Sequence, residues 1–461
     1  MQFLLSPLVG FILQGGRMQT GVQGNEPIIP TSAGSLKRLH LLIIGACALG
    51  FSFDLAEIAF GSILAAVFSS PPYAADKTEI SWLLSAVYIG AIAGAPLFGW
   101  LADQHGRRIG LTSVMATLAL ASVGAAFAPD VGWLVAFRML SGLALGAYPP
   151  LMFSYLSDIL PAAQRGKLVM VATAFGYAGP TIFIFLVRWL TPIAPLGFDA
   201  WRWGFLFGGA GAAVCSFLFY RLPESGSWLM SKGRDAQANV TARAFEASRP
   251  VSRFKHLPSV PKSISTEDDQ FRTHRFVVGF LVLVFFLTPW ATVGFTLLSG
   301  AVLVQKGINL QDSLLYLGIS TLGPIVGTIV GGYFIDKVQR RTALIASATA
   351  MALIGLLFAS TTVPMWLIGC GIAFNLLVSL FLPVLFLYAA EMVPNSRRAM
   401  TTSFAWSANR IGSALTPLAL LPVLQSHGAY AMFTVIAGTL VLFIGLVLGW
   451  GPSGRAGRQL K

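Results

Sequence analysis

The chain has 461 residues, 55% of them apolar and 11% charged, with a mean hydropathy of +0.73. A water-soluble surface of this size needs roughly twice that charge, so a soluble globule is excluded, as are collagen, a disordered chain and a disulfide scaffold. The net charge of +13 would form a basic face on a soluble fold in a nucleic-acid binder; here it punctuates long apolar runs, follows from membrane topology and implies no nucleic-acid partner.

In chain order, residues 3–13 are apolar but too short to cross a bilayer and have no basic residue ahead of them, which makes a poor signal peptide. Met18 opens a conventional polar lead and is the expected translation start, with an interfacial segment as the alternative. A hydrocarbon core about 30 Å thick takes roughly 20 apolar residues of helix. Twelve segments satisfy this, at about 39–68, 80–101, 109–129, 132–156, 167–191, 203–221, 275–299, 313–335, 342–361, 364–388, 399–424 and 429–450. The division expected is a lead at 1–38, six spans at 39–221, a polar linker at 222–274, six spans at 275–450 and a tail at 451–461. The connections before segments 3, 5, 9 and 11 carry Arg107 with Arg108, Arg165 with Lys167, Lys337 with Arg340 and Arg341, and Arg397 with Arg398, while the opposite loops carry few basic residues. Positive-inside logic makes the basic side cytoplasmic, termini, linker and tail included, in a cell membrane crossed many times.

An internal repeat emerges from arithmetic. The connection at 99–108 reads GWLADQHGRR and that at 332–341 reads GYFIDKVQRR, 233 positions on. The same offset carries Tyr155 to Tyr388, Asp158 to Glu391, Pro161 to Pro394 and Arg165 to Arg398. Two six-helix halves repeating in the same direction are related by an axis along the membrane normal. The expected fold is an all-α integral membrane protein of twelve helices in two six-helix bundles.

With these motifs the sequence resembles the major facilitator superfamily over nearly its whole length. Within it, FDL at 53–55, RMLSGLALG at 138–146, WRW at 201–203 and PESGSWLMSKGR at 223–234 resemble the sugar porters and metabolite:proton symporters, including aromatic-acid and nicotinate carriers. The resemblance implies secondary transport by alternating access and makes segments 1 and 4 neighbours. In related sugar:proton symporters an aspartate in the first helix and an arginine in the fourth form the coupling pair, and Asp54 and Arg138 match those positions. The paired glutamines of hexose porters are absent from segment 7 and their tenth-helix tryptophan is replaced, which argues against sugar.

Charges inside a membrane are costly and are functional hypotheses by default, which selects Asp54, Glu57, Arg138 and Arg410. Asp54 lies about 22 Å and Arg138 about 25 Å from the basic side, so the two can pair. Withdrawing Arg138 in one conformation would favour a proton on Asp54; the alternative is a permanent structural pair. Glu57, a turn further on, is expected at the outer water interface, or as an entrance or relay carboxylate. Arg410, about 18 Å deep, either holds a substrate carboxylate bidentately or bonds broken-helix carbonyls or Asp54 across the cavity. Tyr148, Tyr177, Trp290, Asn375 and Trp406 are candidate cavity liners alongside Glu57 and Arg410.

A cytoplasmic gate is expected from Gly99, Asp103, Arg107, Arg108, Asp158 and Arg165 in the first half and from Gly332, Asp336, Arg340, Arg341, Glu391 and Arg398 in the second. Gly99 and Gly332 would let helices approach closely, and Asp103 would bond Arg165 or Arg398. Cys47, Cys215 and Cys370 lie singly in apolar runs and read as packing residues, with no metal spacing. His40, His105, His256, His274 and His427 gather no nucleophile or metal set, and no phosphate loop occurs, so no enzyme, cofactor or ATP dependence is expected. The function read from the sequence is proton-coupled symport of a small organic solute, a carboxylate or aromatic acid metabolite, by a protein working as a monomer. Proton-driven efflux of lipophilic compounds and sugar or polyol uptake are same-fold alternatives, and a non-transporting solute sensor is the alternative from another class.

Overall fold

The computed structural model describes residues 38–71, 73, 75–160, 165–245, 267–334, 338–392 and 398–451, and all of its regular elements are helical. A chain crossing hydrocarbon must satisfy its own backbone, and runs of Leu, Ala, Val, Ile and Phe do so as helices. The first half contains α1 (Arg38–Phe68), α2 (Lys77–His105), α3 (Arg107–Ala126), α4 (Val131–Ile159), α5 (Arg165–Gly176), α6 (Ala178–Leu190) and α7 (Ala200–Arg221). Two short helices follow, α8 (Gly226–Ser231) and α9 (Asp235–Ala244). The second half contains α10 (Glu267–Gln305), α11 (Leu310–Ser320), α12 (Gly323–Phe334), α13 (Arg340–Ser360), α14 (Pro364–Met392) and α15 (Arg398–Trp450).

These helices make the twelve expected crossings. The last, α15, has 53 residues, a length of about 80 Å, more than twice the hydrocarbon thickness. It is two spans, separated where Gly428 takes a φ of 84°, a conformation that suits a residue without Cβ. The fifth and eighth spans are each broken once. Pro180 and Pro324 lack the N–H that would bond the carbonyl four residues back, and the chain interrupts its helix at Tyr177 and at Thr321–Leu322. The helix α10 begins at Glu267, inside the stretch assigned to the linker, because a helix need not end where the bilayer does. The linker also contributes α8 and α9. The lead before Arg38 and the tail beyond Gly451 lie outside the described residues.

Close packing within each half rests on absent side chains. A Cβ on Gly94 would sit 2.0 Å from the Leu143 carbonyl oxygen, and one on Gly142 would sit 2.1 Å from that of Val87, so α2 and α4 touch backbone to backbone. In the second half Gly323 meets the Ile372 carbonyl at 2.3 Å in the same sense, drawing α12 onto α14. The halves also touch one another. Gly300 of α10 abuts the Ser62 carbonyl of α1, Arg188 Nε donates to the Gln311 carbonyl at 3.1 Å, and the hydroxyls of Thr181 and Thr321 lie 2.9 Å apart beside the two helix breaks.

Candidate functional site

Arg138, on the part of α4 away from the basic loops, is 1% exposed and cannot be left without a counter-charge. Its Nη1 donates to Glu57 Oε1 at 2.7 Å and to the Glu57 backbone carbonyl at 2.9 Å. Ser122 of α3 donates to Glu57 Oε2 at 3.1 Å, and the Phe205 ring of α7 lies 5.9 Å from the guanidinium carbon. Four helices therefore converge on one buried ion pair. This corrects two expectations: the partner of Arg138 is Glu57 rather than Asp54, and Glu57, 3% exposed, is no interfacial residue. The reason is helical geometry. Three residues advance α1 by about 4.5 Å and turn it by about 300°, so Asp54 and Glu57 differ in direction by some 60°, and the outer one aims at α4.

Asp54 is 1% exposed, and neither carboxylate oxygen has a hydrogen-bond partner among the described residues. It lies within electrostatic reach of Arg410 from α15 and of Glu57 from its own helix, and among the described residues it forms no ion pair. Arg410 acts in turn on Asp54 and on Tyr88, a 4% exposed residue of α2. Asp54, Tyr88 and Arg410 thus form an electrostatic group spanning the two halves. Arg410 is positioned by stacking over Trp406 at 4.6 Å, and Trp406 rests on Phe386 at 5.0 Å.

The remaining candidates divide. Tyr177 stands at the break in the fifth span with its ring edge-on to Phe51 at 6.2 Å, and is half-buried, as are Trp290 and Trp406. The Trp290 indole N–H is buried with no partner among the described residues. Asn375 is engaged, donating to the Gly371 carbonyl at 3.1 Å and accepting from Thr296 at 3.2 Å. Tyr148, expected as a cavity liner, is fully buried within the first bundle, where its hydroxyl donates to the Cys47 carbonyl at 2.8 Å. The three cysteines are free; Cys47 and Cys215 are fully buried and Cys370 nearly so.

On the basic side, a second cluster joins the turn between α2 and α3 to the segment after α7. Asp103 pairs with Arg107 one helical turn on, and its backbone carbonyl accepts the Trp228 indole N–H at 3.1 Å. Glu224 Oε1 accepts the Arg108 amide at 3.1 Å and the Ser225 amide at 2.8 Å. Ser225 donates to Asp158 at 2.6 Å, and Tyr155 donates to the Pro223 carbonyl at 2.5 Å. Gly106, at φ 111°, is needed here: a Cβ would lie 2.1 Å from Glu224 Oε2. Burial pushes the Glu224 carboxyl above its usual range, against the backbone amides and Arg108 that favour its ionised form.

Among the described residues nothing comes within 4 Å of where a Cβ on Gly99 would be, and a close approach occurs at Gly110, whose Cβ would meet that of Ala102 at 2.6 Å. In the second half Arg341 donates to the carbonyls of Val447 and Leu448 at the end of α15, and Arg340 begins α13 with 5% exposure. Asp336 lies outside the described residues, as do the side chains of Arg165, Glu391 and Arg398 and the surroundings of Gly332. Sequence reasoning missed Tyr88, Ser122, Glu224 and Ser225 as site members. Glu224 and Ser225 lay within a motif already in view, whereas nothing in the local sequence marks Ser122 or Tyr88 among other small or aromatic residues.

The profile of the Major Facilitator Superfamily matches residues 42–417 and 315–461. The niacin transporter NiaP of Acinetobacter baylyi is 26% identical over 430 residues, covering 91% of this chain and 95% of its own. The putative metabolite transport protein YyaJ of Bacillus subtilis is also 26% identical, covering 91% and 94%. Among solved structures, a partially occluded inward-open form of the xylose transporter XylE from E. coli superposes with a TM-score of 0.71 at 20% identity, covering 92% of this chain and all of that one. The twelve-span architecture and a family profile matching most of the chain agree, and the chain belongs to the Major Facilitator Superfamily.

Proposed function

We propose that this metabolite transporter is a proton-coupled symporter that imports a small carboxylate, an aromatic acid being the best fit, by alternating access of its two bundles. The observation that carries the reading is Asp54, a buried carboxylate with neither oxygen bonded among the described residues, within electrostatic reach of Arg410 from the other half. A substrate carboxylate bound to Arg410 removes the counter-charge of Asp54 and leaves one excess negative charge in a low-dielectric site. A proton on Asp54 cancels it. Anion and proton then cross together, with the charge of the site balanced. The Glu57, Arg138 and Ser122 cluster already balances its own charges and supplies the rigid wall against which Asp54 is held. Trp290, Trp406 and Tyr177 offer aromatic faces to a planar solute, and niacin, the solute in the name of one relative, is an aromatic monocarboxylate. The basic side is cytoplasmic in this reading, with both termini there. The contacts of Pro223, Glu224, Ser225 and Trp228 with the α2–α3 turn, α4 and Asp103 act as a cytoplasmic latch of the first bundle, and Asp336, Arg340, Arg341, Glu391 and Arg398 serve the second.

The test uses purified protein in liposomes enclosing a pH-sensitive dye, challenged with monocarboxylates, aromatic acids, sugars and organic cations. Aromatic acids are expected to drive internal acidification. Asp54→Asn is expected to abolish it while exchange of labelled for unlabelled solute survives. Solute entry without protons, unchanged by the substitution, would remove Asp54 from coupling, and acidification driven by sugars alone would overturn the substrate class.

A further inference from the structure

Two polar groups of the second half are buried donors with nothing to donate to. Among the described residues neither Nε of Arg410 nor the indole N–H of Trp290 has a hydrogen-bond partner, although both atoms are shielded from solvent. Leaving a buried donor without an acceptor is costly, and these two stand on helices locked together at this level. Asn409 Nδ2 donates to the Phe285 carbonyl at 3.2 Å, and a Cβ on Gly412 would lie 2.5 Å from the Phe286 carbonyl oxygen and 3.3 Å from the Pro289 ring. Further on, Gly294 sits against Thr416 and Leu420, so α10 and the first span of α15 run side by side in one direction. In that register Arg410 is level with Phe286, and Trp290 lies four residues, about 6 Å, further from the basic side.

The side chains around Arg410 add shape but no acceptor. Arg410 stacks on Trp406 at 4.6 Å, Trp406 meets Phe386 at 5.0 Å, and Phe386 meets Phe285 edge-on at 5.3 Å. Asp54 does not serve the two donors, since both of its own oxygens are unbonded among the described residues. A solute that enters displaces the water serving such an N–H, and one that offers only a C–H in its place leaves the donor stranded. Sites built to donate a hydrogen bond therefore reject analogues that lack the acceptor. A single six-membered ring fits the span between the two donors. We propose, resting on the carboxylate reading above, that Trp290 is a specificity-determining residue whose N–H donates to a second acceptor of the solute, set across one ring from the carboxylate held by Arg410. The solute class is then a monocyclic aromatic acid with an acceptor, such as a ring nitrogen, at the meta or para position.

The experiment is isothermal titration calorimetry of the full-length protein in detergent near neutral pH, with benzoate, pyridine-3-carboxylate and pyridine-4-carboxylate, three anions of one shape that differ by a ring acceptor. At least one pyridine carboxylate is expected to bind about tenfold more tightly than benzoate. Trp290→Phe, which keeps an aromatic ring and removes the N–H, is expected to bring that ratio close to one. Taking the ratio cancels any loss of packing that weakens all three ligands alike. Equal affinity of the three acids for the unmodified protein would overturn the assignment of Trp290 and leave the carboxylate reading standing, as would an unchanged ratio in Trp290→Phe. Binding of none of the three would overturn both.

Discussion

The two halves share a plan and differ in what they bury at the same level. In the first, Glu57, Ser122 and Arg138 form a charged cluster joining α1, α3 and α4. The repeat offset carries these positions to Trp290, Gly355 and Gly371 in the second. There the packing is aromatic: Phe295 stacks on Phe374 at 3.9 Å with Phe358 and Phe433 around them, and Gly371 makes room for the Ser320 hydroxyl. A duplicated scaffold therefore supports an electrostatic half and an apolar half. The boundary between them is where a buried carboxylate, Asp54, faces a cation from the other side, Arg410.

The largest test makes the halves alike. Arg138→Met leaves Glu57 buried without its partner and is expected to cost about 3–5 kcal/mol, read as a fall in Tm in detergent. Adding Glu57→Leu removes the stranded charge and is expected to restore most of that loss without restoring transport. An unchanged Tm for the single variant would show that the cluster does not hold the first half together. Next in size, Arg410→Gln removes the cation that the second half contributes, and the Kd of a carboxylate solute is expected to rise about 10- to 100-fold with little change for a neutral solute. Equal losses for both would make Arg410 a packing residue.

Smaller effects sharpen the latch of the first half. Ser225 caps α8 by accepting the Trp228 amide and also donates to Asp158, so Ser225→Ala is expected to cost about 1 kcal/mol locally and to speed hydrogen exchange over 225–231. Glu224 adds a pH dependence. Its carboxyl in the docked segment holds a proton more tightly than a solvated one, so docking is strongest in acid, weakens as pH rises from the ordinary carboxylate range through the raised value, and is level above it. Hydrogen exchange of the same segment between about pH 4 and pH 7 should accelerate beyond its intrinsic pH dependence in the parent protein and lose that excess in Glu224→Gln.

Much of the fold was legible because a bilayer simplifies the problem. Length and hydropathy found the spans, and the duplicated loops at Gly99 and Gly332 exposed the repeat before any coordinates. Helix limits and span limits part where membrane logic stops applying, as at the polar start of α10. The site was half legible. Asp54, Glu57, Arg138 and Arg410 stood out because each is a charge in an apolar run. Their pairing was misread since depth along a helix was counted and azimuth was not. Tyr148 looked like a liner because an aromatic hydroxyl in a span invites that role, yet Gly50 opens a slot that takes its ring into the bundle.

Composition and pattern by themselves determined that this chain is a membrane protein of two repeated six-span halves, because hydrophobic length, basic loops and a fixed offset are properties of residue order. Tertiary structure alone decided that Arg138 belongs to Glu57, that Asp54 is left to Arg410 and that the 223–228 segment seals the α2–α3 turn. Each of these depends on which way a side chain points and how closely two backbones approach, and a difference of 60° or of one methyl group is enough to change the partner.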